Sequence, residues 1–522
     1  MRRIILTVIM IFATLPWMVS RSARLSVPSF SSQTAISPAA LRDLVPAGAL
    51  LAIELRDLDR RWSEIRAVRA ISSFQDSALS CVGMQPDLVP MLAADQAVLF
   101  LARLESHPFL LPIAILRPAD MQQAENVASG LGDLAHLQAR GALWIGPAGS
   151  ERILEEFAGT EGARLGDVLP LEEIEERLPP GGLIRGWVNP GAWAELLRDC
   201  SDRTSATPLQ WAISAARAEL AAVRYIGFRR DLENGDLAVD GLIAYDVTRL
   251  PAEVSRILEP EASTAILPSD LASNTLAVAA FRPEAQAWMP WLRYLAASDS
   301  RGPLRNLDFW IDEFQRRYRR DLDRDLFQAF GDRAWLIASL AEDAKSVELT
   351  WVFKVRESPA LEYTMLDLVS WLGEQIRLRS LGTIVPKSQF TEHEGTAILD
   401  LSLHIPFLRI PGPNFRIADG YLIVAGNPGT MQAGVALVEK IKQSAIDGGA
   451  ASNGLPIHGT VLVQGAELAR LIRASAGALN SRECICDAIA GLAAESESLR
   501  IEIRYEHDAV RFHDRLRFAA QR

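Results

Sequence analysis

The chain has very little lysine: five lysines stand beside 49 arginines among its 522 residues. Acidic residues nevertheless outnumber basic ones, which leaves a formal net charge of −11. Proteins that bind nucleic acids cluster positive charge against the phosphates, so this balance argues against a nucleic-acid partner. The acidic excess also provides no general attraction to an anionic membrane surface.

Long apolar runs are absent after the first 20 residues, and later windows such as 110–116 and 349–355 have only the length of a strand. The exception is the run of 17 apolar or small residues at 4–20, which follows Arg2 and Arg3. Arginines before such a run are typical of an export signal. A helix of this run would measure about 25 Å, slightly less than a bilayer core.

Two interpretations of residues 1–24 stay open, a cleaved signal peptide and a retained membrane anchor. Ser20 and Ser22 supply small residues for cleavage, although Arg21 lies between them. No cysteine lies near the end of the run, which excludes a lipoprotein signal. Either interpretation predicts that the rest of the chain works in the periplasm or on the outer face of the cytoplasmic membrane.

Cysteine is also scarce. The four are Cys81, Cys200, Cys484 and Cys486. Three pairings are possible in an oxidising compartment, and a bond between the last two would be strained. Free thiols and a disulfide therefore both stay open. The spacing lacks the second ligand pair of a zinc site.

Recognised catalytic motifs are missing. The sequence contains no HExxH, GxSxG, Walker loop or GxGxxG. We therefore assign no catalytic, cofactor-binding or metal-binding residue, and we expect no cofactor.

The clearest positive signal is internal repetition in a chain that is 49% hydrophobic and long enough for two or more domains. A Leu/Val-Pro pair, a strand and a helical segment recur four times, and other strand patterns recur once. The recurring openings lie at 44–70, 178–198, 267–295 and 455–473, and the matched pairs are 94–104 with 330–340 and 141–157 with 420–439.

This order predicts two copies of one unit, at residues 40–248 and 267–522, joined by a linker at 249–266. A hairpin closes each copy, at 222–245 and at 499–518. Because short turns join most strands, we predict an α+β fold in which each half is mainly antiparallel sheet with helices packed on one face. The second copy carries an added helix at 307–330 and added strands at 386–416.

The pattern resembles a group of exported bacterial proteins known only as a domain of unknown function. The resemblance rests on Val45-Pro46, Leu267-Pro268, Gly331-Asp332 and the strand Tyr421–Ala425 after Asp419-Gly420. It covers most of residues 40–520. It implies an extracytoplasmic, envelope-associated protein, and it supplies no catalytic residues.

Two groups of side chains are candidates for contact with a ligand or partner. Trp288 and Trp291 could line an apolar pocket or a membrane interface, although matching tryptophans at 62 and 193 favour core packing. Arg316, Arg317 and Arg320 form a basic cluster in an acidic chain. This cluster could dock an anionic partner, although nearby carboxylates favour a salt-bridged helix face.

Other patterns favour structural roles. Asp321, Asp323 and Asp325 resemble the start of a calcium loop, but Leu326 occupies the place of its glycine. Lys354 alternates with apolar residues and is expected to point to solvent. Residues 392–394, Glu-His-Glu, are adjacent in sequence and cannot chelate one ion well.

We therefore expect a non-enzymatic binding or scaffold protein whose partner is an unknown envelope protein or an apolar ligand. An uncleaved N-terminal segment would add the inner membrane as a partner. The alternative is an extracytoplasmic hydrolase with dispersed carboxylates around Glu54 and Asp57. That alternative requires two buried acids, or a histidine–acid pair, in one concave pocket.

Overall fold

The structure is a computed structural model, and the statements below concern the residues it describes. These are 41–56, 96–103, 110–118, 120–130, 134–147, 149–159, 162–203, 207–233, 236–255, 258, 267, 274–298, 306–341, 346–356, 358–393, 396–405, 408–446, 457–476 and 490–518. The N-terminal run, Trp62, Asp57, Cys81, Cys484 and Cys486 lie outside them, as does the side chain of Cys200.

The chain divides into two compact units. Unit 1 comprises Met1–Arg249, Ser475–Glu497 and Asp508–Arg522, and unit 2 comprises Leu250–Ala474 and Ser498–His507. The predicted first copy ended at residue 248, and the predicted second copy ran through to 522. The contacts instead group two C-terminal segments with unit 1.

Unit 1 contains a nine-stranded antiparallel sheet. Its strands are β1 (Ala49–Arg56), β2 (Gln96–Arg103), β3 (Leu110–Arg117), β4 (Leu134–Ala139), β5 (Ala142–Pro147), β6 (Ile184–Val188), β7 (Val223–Glu233), β8 (Asp236–Tyr245) and β18 (Ala509–Phe518). Their order across the sheet is β4-β5-β3-β2-β1-β6-β7-β8-β18. The hairpin between β7 and β8 leaves two residues for its turn, as the Asn-Gly pair at 234–235 predicts.

In the described part of unit 1, six helices accompany this sheet. They are α1 (Met121–Gly130), α2 (Glu151–Gly159), α3 (Leu165–Val168), α4 (Leu171–Arg177), α5 (Pro190–Arg203) and α6 (Thr207–Ala222). Apolar residues of α2, α3 and α4 pack against one face of the sheet, where Trp144, Trp187 and Tyr225 are buried. Burial of three such large rings contributes several kcal/mol.

Unit 2 contains nine further strands of antiparallel sheet. Its strands are β9 (Thr275–Phe281), β10 (Phe330–Leu340), β11 (Val347–Val355), β12 (Val385–His393), β13 (Thr396–Ile405), β14 (Leu408–Ala418), β15 (Tyr421–Ala425), β16 (Gly459–Gln464) and β17 (Ser496–Glu506). Their order is β12-β13-β14-β15-β11-β10-β9-β16-β17. One or two added strands are predicted at 386–416, and the structure has three in this region, β12, β13 and β14.

The helices of unit 2 are α7 (Ala252–Ser255), α8 (Trp288–Ser298), α9 (Leu307–Tyr318), α10 (Ser358–Arg379), α11 (Pro428–Ile446) and α12 (Gly465–Ala476). The continuous helix predicted over 307–330 is wrong. Arg319 adopts a left-handed conformation with φ of 56° and ends α9. A separate short helical turn, Leu322–Phe327, follows, and its N-cap Asp321 accepts backbone hydrogen bonds from Asp323 and Arg324.

The predicted α+β class is confirmed, and the described strand pairings within both units are antiparallel. Among the described helices, none combines the length and apolarity needed to span a bilayer.

Candidate functional site

The two predicted tryptophans lie on α8. Trp288 is half-buried and packs against a cluster of phenylalanines, with ring centroids 5.6 Å from Phe327, 5.4 Å from Phe330 and 6.1 Å from Phe353. Trp291 lies one turn further along and is also half-buried. This arrangement accounts for Trp288 by packing alone.

The three predicted arginines lie at the end of α9 and in the turn after it. Arg317 forms an ion pair of 2.6 Å with Glu374 of α10, and Arg320 forms one of 3.2 Å with Asp367. Arg316 is exposed. The structure therefore brings two of the arginines against α10, while Trp288 faces the phenylalanines.

The remaining sequence candidates fall in different places. Lys354 is exposed, as predicted, and lies 3.5 Å from Asp332. Arg324 donates a hydrogen bond to Asp325. This bond, together with the positive charge of Arg324, holds the pKa of Asp325 below the ordinary value. The side chains of residues 392–394 lie outside those described. In the described part of the chain, no three histidine, cysteine, aspartate or glutamate side chains come together as a metal site.

The structure adds a candidate site in unit 1 that the sequence did not indicate as a group. The strand registers place Glu54, Arg185, Arg229, Asp240 and His513 directly opposite one another on five successive strands. Residues that face each other across a sheet share a face. We call these five residues the charged row. Two residues further along the strands, the same face carries Ala52, Trp187 and Leu242 of the core.

Glu54 anchors one end of the charged row and is fully buried. It accepts hydrogen bonds from Arg56, at 2.7 Å from Nε, and from Gln96. Glu175 of α4 lies beside it and pairs with Arg42, with Arg185 at 3.4 Å and with Arg56 at 3.8 Å. Three arginines therefore share two carboxylates at this end.

The two central arginines of the row are held by the loop that follows α4. Arg185 donates to the carbonyl of Gly181, at 3.2 Å from Nε and 3.1 Å from Nη2, and Arg229 donates to the carbonyl of Pro180. Gly182 has φ of +99°, and an added Cβ there would collide with the Arg229 stem. The Pro-Pro-Gly-Gly sequence at 179–182 thus supplies two carbonyl acceptors for these arginines and a glycine where the Arg229 stem leaves no room for a side chain.

At the other end, His513 Nδ1 lies 2.8 Å from an oxygen of Asp240, and Arg229 lies 3.4 Å from the other oxygen. Burial alone would raise the pKa of Asp240. The hydrogen bond and charge of His513, with the charges of Arg229 and Arg511, outweigh burial and lower that pKa. Asp240 is therefore a carboxylate that orients an imidazole.

One residue beyond His513, Asp514 lies on the opposite face of β18. Burial raises its pKa to about 7, despite the opposing charges of Arg230 and His513. Arg230 is opposite Val239, which in turn is opposite Asp514. β18 therefore carries a histidine of the charged row on one face and, on the other face, an aspartate with a raised pKa.

Chemically, the charged row offers guanidinium groups for anion recognition and one histidine–carboxylate pair for proton transfer. Sequence reasoning singled out Glu54 but missed the other four members. The only available signal was polar residues interrupting the alternation of β6, β7, β8 and β18.

Comparisons with protein-family models, curated proteins and solved structures returned no match to this chain. Its function must be inferred from its own residues.

Proposed function

We propose that this chain is a non-enzymatic binding protein that acts outside the cytoplasm, associated with the cell envelope. In this proposal it consists of two copies of one α+β unit, and the charged row of unit 1 is part of its binding surface. The observation that carries the proposal is the difference between the charged row and its counterpart in unit 2.

The order of strands supports the duplication. The series β4-β5-β3-β2-β1-β6-β7 of unit 1 corresponds strand for strand to β14-β15-β11-β10-β9-β16-β17 of unit 2. In both units the first strand of the unit is fifth in this series, and the last two strands of the series follow it on one side. An independent origin of the same seven-strand order is a poor explanation, since many topologies are open to a sheet of this size.

The registers support it further. Aligning residues 141–145 with 420–424 makes Trp144 correspond to Ile423. The registers across β3 and β2 in unit 1, and across β11 and β10 in unit 2, then make Val98 correspond to Trp335. These two residues pair with Glu54 and Ala280 respectively. On the next strand Arg185 corresponds to Thr460, because Arg185 pairs with Glu54 and Thr460 pairs with Ala280. The last strand matches Arg229 with Glu502.

Glu54, Arg185 and Arg229 in unit 1 therefore correspond to Ala280, Thr460 and Glu502 in unit 2. In unit 2 the same order of strands forms with uncharged residues, Ala280 and Thr460, at two of these three positions. The fold does not require the charges of the row, and burying charge is costly unless it is fully paired. A role in binding explains why unit 1 carries them.

The ligand class follows from the accessible cations. Arg56 and Arg515 lie on the same face, two residues beyond Glu54 and His513, and about a third of each side chain is exposed. Four interstrand steps separate their strands, about 19 Å at 4.8 Å a step. An elongated molecule with several carboxylates or phosphates fits this spacing and the geometry of guanidinium groups.

Titration calorimetry of the full chain in detergent, with polyglutamate and with inorganic polyphosphate, tests the proposal. We expect binding that weakens with added salt, and a loss of at least about tenfold in Arg56→Gln/Arg515→Gln. Arg293→Gln is the matched control, because Arg293 is exposed and pairs with Asp308 in unit 2. Absence of binding, or an equal loss in the control, contradicts the proposal.

A hydrolase is the second candidate, and the His513–Asp240 pair favours it, since a carboxylate that orients an imidazole is the base half of a nucleophilic site. A panel of ester and peptide substrates tests it. Activity that is lost in His513→Ala and retained in His507→Ala would support the hydrolase, because His507 is an exposed histidine. Activity insensitive to both substitutions would reject it.

A further inference from the structure

Exposed large apolar side chains concentrate at one place in unit 2. Of the nine such residues in the described part of the chain, five lie on α9, in the C-terminal half of α10, in the turn after it and at the start of β12. They are Phe309, Leu372, Leu378, Leu381 and Val385. Isolated exposed leucines are ordinary, but a concentration of this kind marks an interaction surface.

Leu381 forms the tip of this surface and is 94% exposed. It adopts a left-handed conformation with φ of 52°, which is unfavourable for a leucine. The turn is well defined: the amide of Gly382 donates to the carbonyl of Arg377 at 2.8 Å. The amide of Ile384 donates to Ser380 Oγ at 3.0 Å. The hydrogen bonds therefore hold an apolar side chain out into solvent.

The helix pair brings a second apolar residue to the same end. Glu313 of α9 accepts from Gln375 of α10, and further along α9 Arg317 pairs with Glu374. Arg320, beyond the end of α9, pairs with Asp367, so the two helices run in opposite directions. Phe309, one turn before Glu313, consequently lies toward the end of α10 that carries Leu378.

The charge of this surface is the opposite of that of the whole chain. Residues 375–391 contain Arg377, Arg379 and Lys387 and have no aspartate or glutamate, in a chain of net charge −11. Arg377 and Lys387 are exposed. Cations beside protruding leucines can contact lipid phosphates while the apolar side chains enter the acyl region.

We propose that residues 375–391, which we call the α10–β12 tip, dock unit 2 on an anionic lipid bilayer. The tip presents two exposed leucines, Leu378 and Leu381, among exposed cations. A bilayer accommodates such side chains without a matching groove, whereas a protein partner would have to supply one. Leu381 and Leu378 enter the interface, and Arg377 and Lys387 pair with headgroup phosphates. This surface is separate from the charged row of unit 1.

Hydrogen–deuterium exchange of the full chain tests this proposal, because it reports on the tip even if the N-terminal segment also enters the vesicle. Vesicles of phosphatidylglycerol and phosphatidylcholine should slow exchange at 376–387 by at least about fivefold. Vesicles of pure phosphatidylcholine should have little effect. Leu381→Ser should remove the protection, and Leu349→Ser, at an exposed leucine of β11, should retain it.

Unchanged exchange at the tip while the chain is bound to phosphatidylglycerol vesicles would overturn the proposal. Protection that equals the wild-type level in Leu381→Ser would also overturn it. Protection produced by solubilised envelope proteins, and not by lipid, would assign the tip to a protein partner and reject the bilayer.

Discussion

The two units have matching strand orders but differ at matching positions. Across β1, β6 and β7, unit 1 places Glu54, Arg185 and Arg229 in one row, whereas the proposed counterparts are Ala280, Thr460 and Glu502. In the proposed correspondence, the same order of seven strands forms with charges at these positions in unit 1 and with alanine and threonine at two of them in unit 2, so the strand order does not depend on those charges.

The neighbouring row shows how packing differs between the units. In unit 1 the ring of Phe228 lies over Gly186, where an added Cβ would collide with it. In the proposed correspondence its counterpart in unit 2 is the pair Val461 and Ile501. Unit 1 therefore combines a large residue with a glycine, whereas unit 2 combines two residues of intermediate size.

This exchange gives the largest expected effect. Gly186→Val should destabilise the protein by about 3 kcal/mol, because the added side chain meets the Phe228 ring. Phe228→Ile alone should cost about 2 kcal/mol, because it leaves a cavity. The double substitution copies unit 2 and should cost clearly less than the sum, with a coupling of about 1–3 kcal/mol measured by denaturant unfolding. Additive costs would break the proposed correspondence.

Transplanting the two uncharged counterparts of unit 2, an alanine for Glu54 and a threonine for Arg185, should have the next largest effect. Glu54→Ala leaves Arg42, Arg56 and Arg185 around Glu175 alone, and should cost about 2 kcal/mol. Adding Arg185→Thr removes one of the surplus cations and should recover about half of that cost. Urea unfolding of the single and double variants checks this order of stability. A double variant less stable than Glu54→Ala would mean that unit 1 requires the charge of Arg185.

The pH dependence distinguishes the two faces of β18. Asp514 has a pKa of about 7 in the folded state, against 3.8 for an ordinary aspartate. Its contribution to stability is therefore full below about pH 4 and is lost as the pH rises to about 7. Asp240, whose pKa is lowered, loses its contribution only as the pH falls below about 4.

Unfolding of the wild type and of Asp514→Asn, measured from pH 4.5 to pH 8, should show this difference. Relative to the variant, the wild type should lose stability as the pH rises. Parallel curves would show that Asp514 titrates normally, and a relative gain of the wild type would reverse the sign of the argument.

The smallest effect is expected at surface pairs of unit 2. Lys354 and Asp332 lie 3.5 Å apart with about half of each side chain exposed. Lys354→Ala should change the free energy of unfolding by less than about 0.5 kcal/mol. A larger change in the free energy of unfolding, measured by thermal unfolding, would show that this exposed ion pair contributes more to stability than expected.

Much of the fold could be predicted from the sequence. Strand alternation, Pro-initiated openings and the Asn-Gly turn predict the antiparallel strands. The break after Tyr318 could not, because Leu322 and Leu326 continue the helical apolar period beyond it. The left-handed Arg319 and the N-cap Asp321 decide the boundary, and arginine carries no sequence signal for that conformation.

The candidate site was less accessible to prediction. Glu54 and His513 are 459 positions apart in sequence, and only the registers of five strands bring their row together. Local patterns do not specify such long-range registers. The exposure of Leu381 could not be predicted either, because a leucine that follows an amphipathic helix is expected to pack in the core.

The most direct test of the account measures stability and polyanion binding on one variant, Arg56→Gln/Arg515→Gln. The account predicts a variant that stays folded, at a cost of about 2 kcal/mol because the buried Glu54 loses the charge of Arg56, together with binding of polyglutamate weakened by at least about tenfold. Undiminished binding would contradict it, and so would a loss of binding that merely accompanies a collapse of stability.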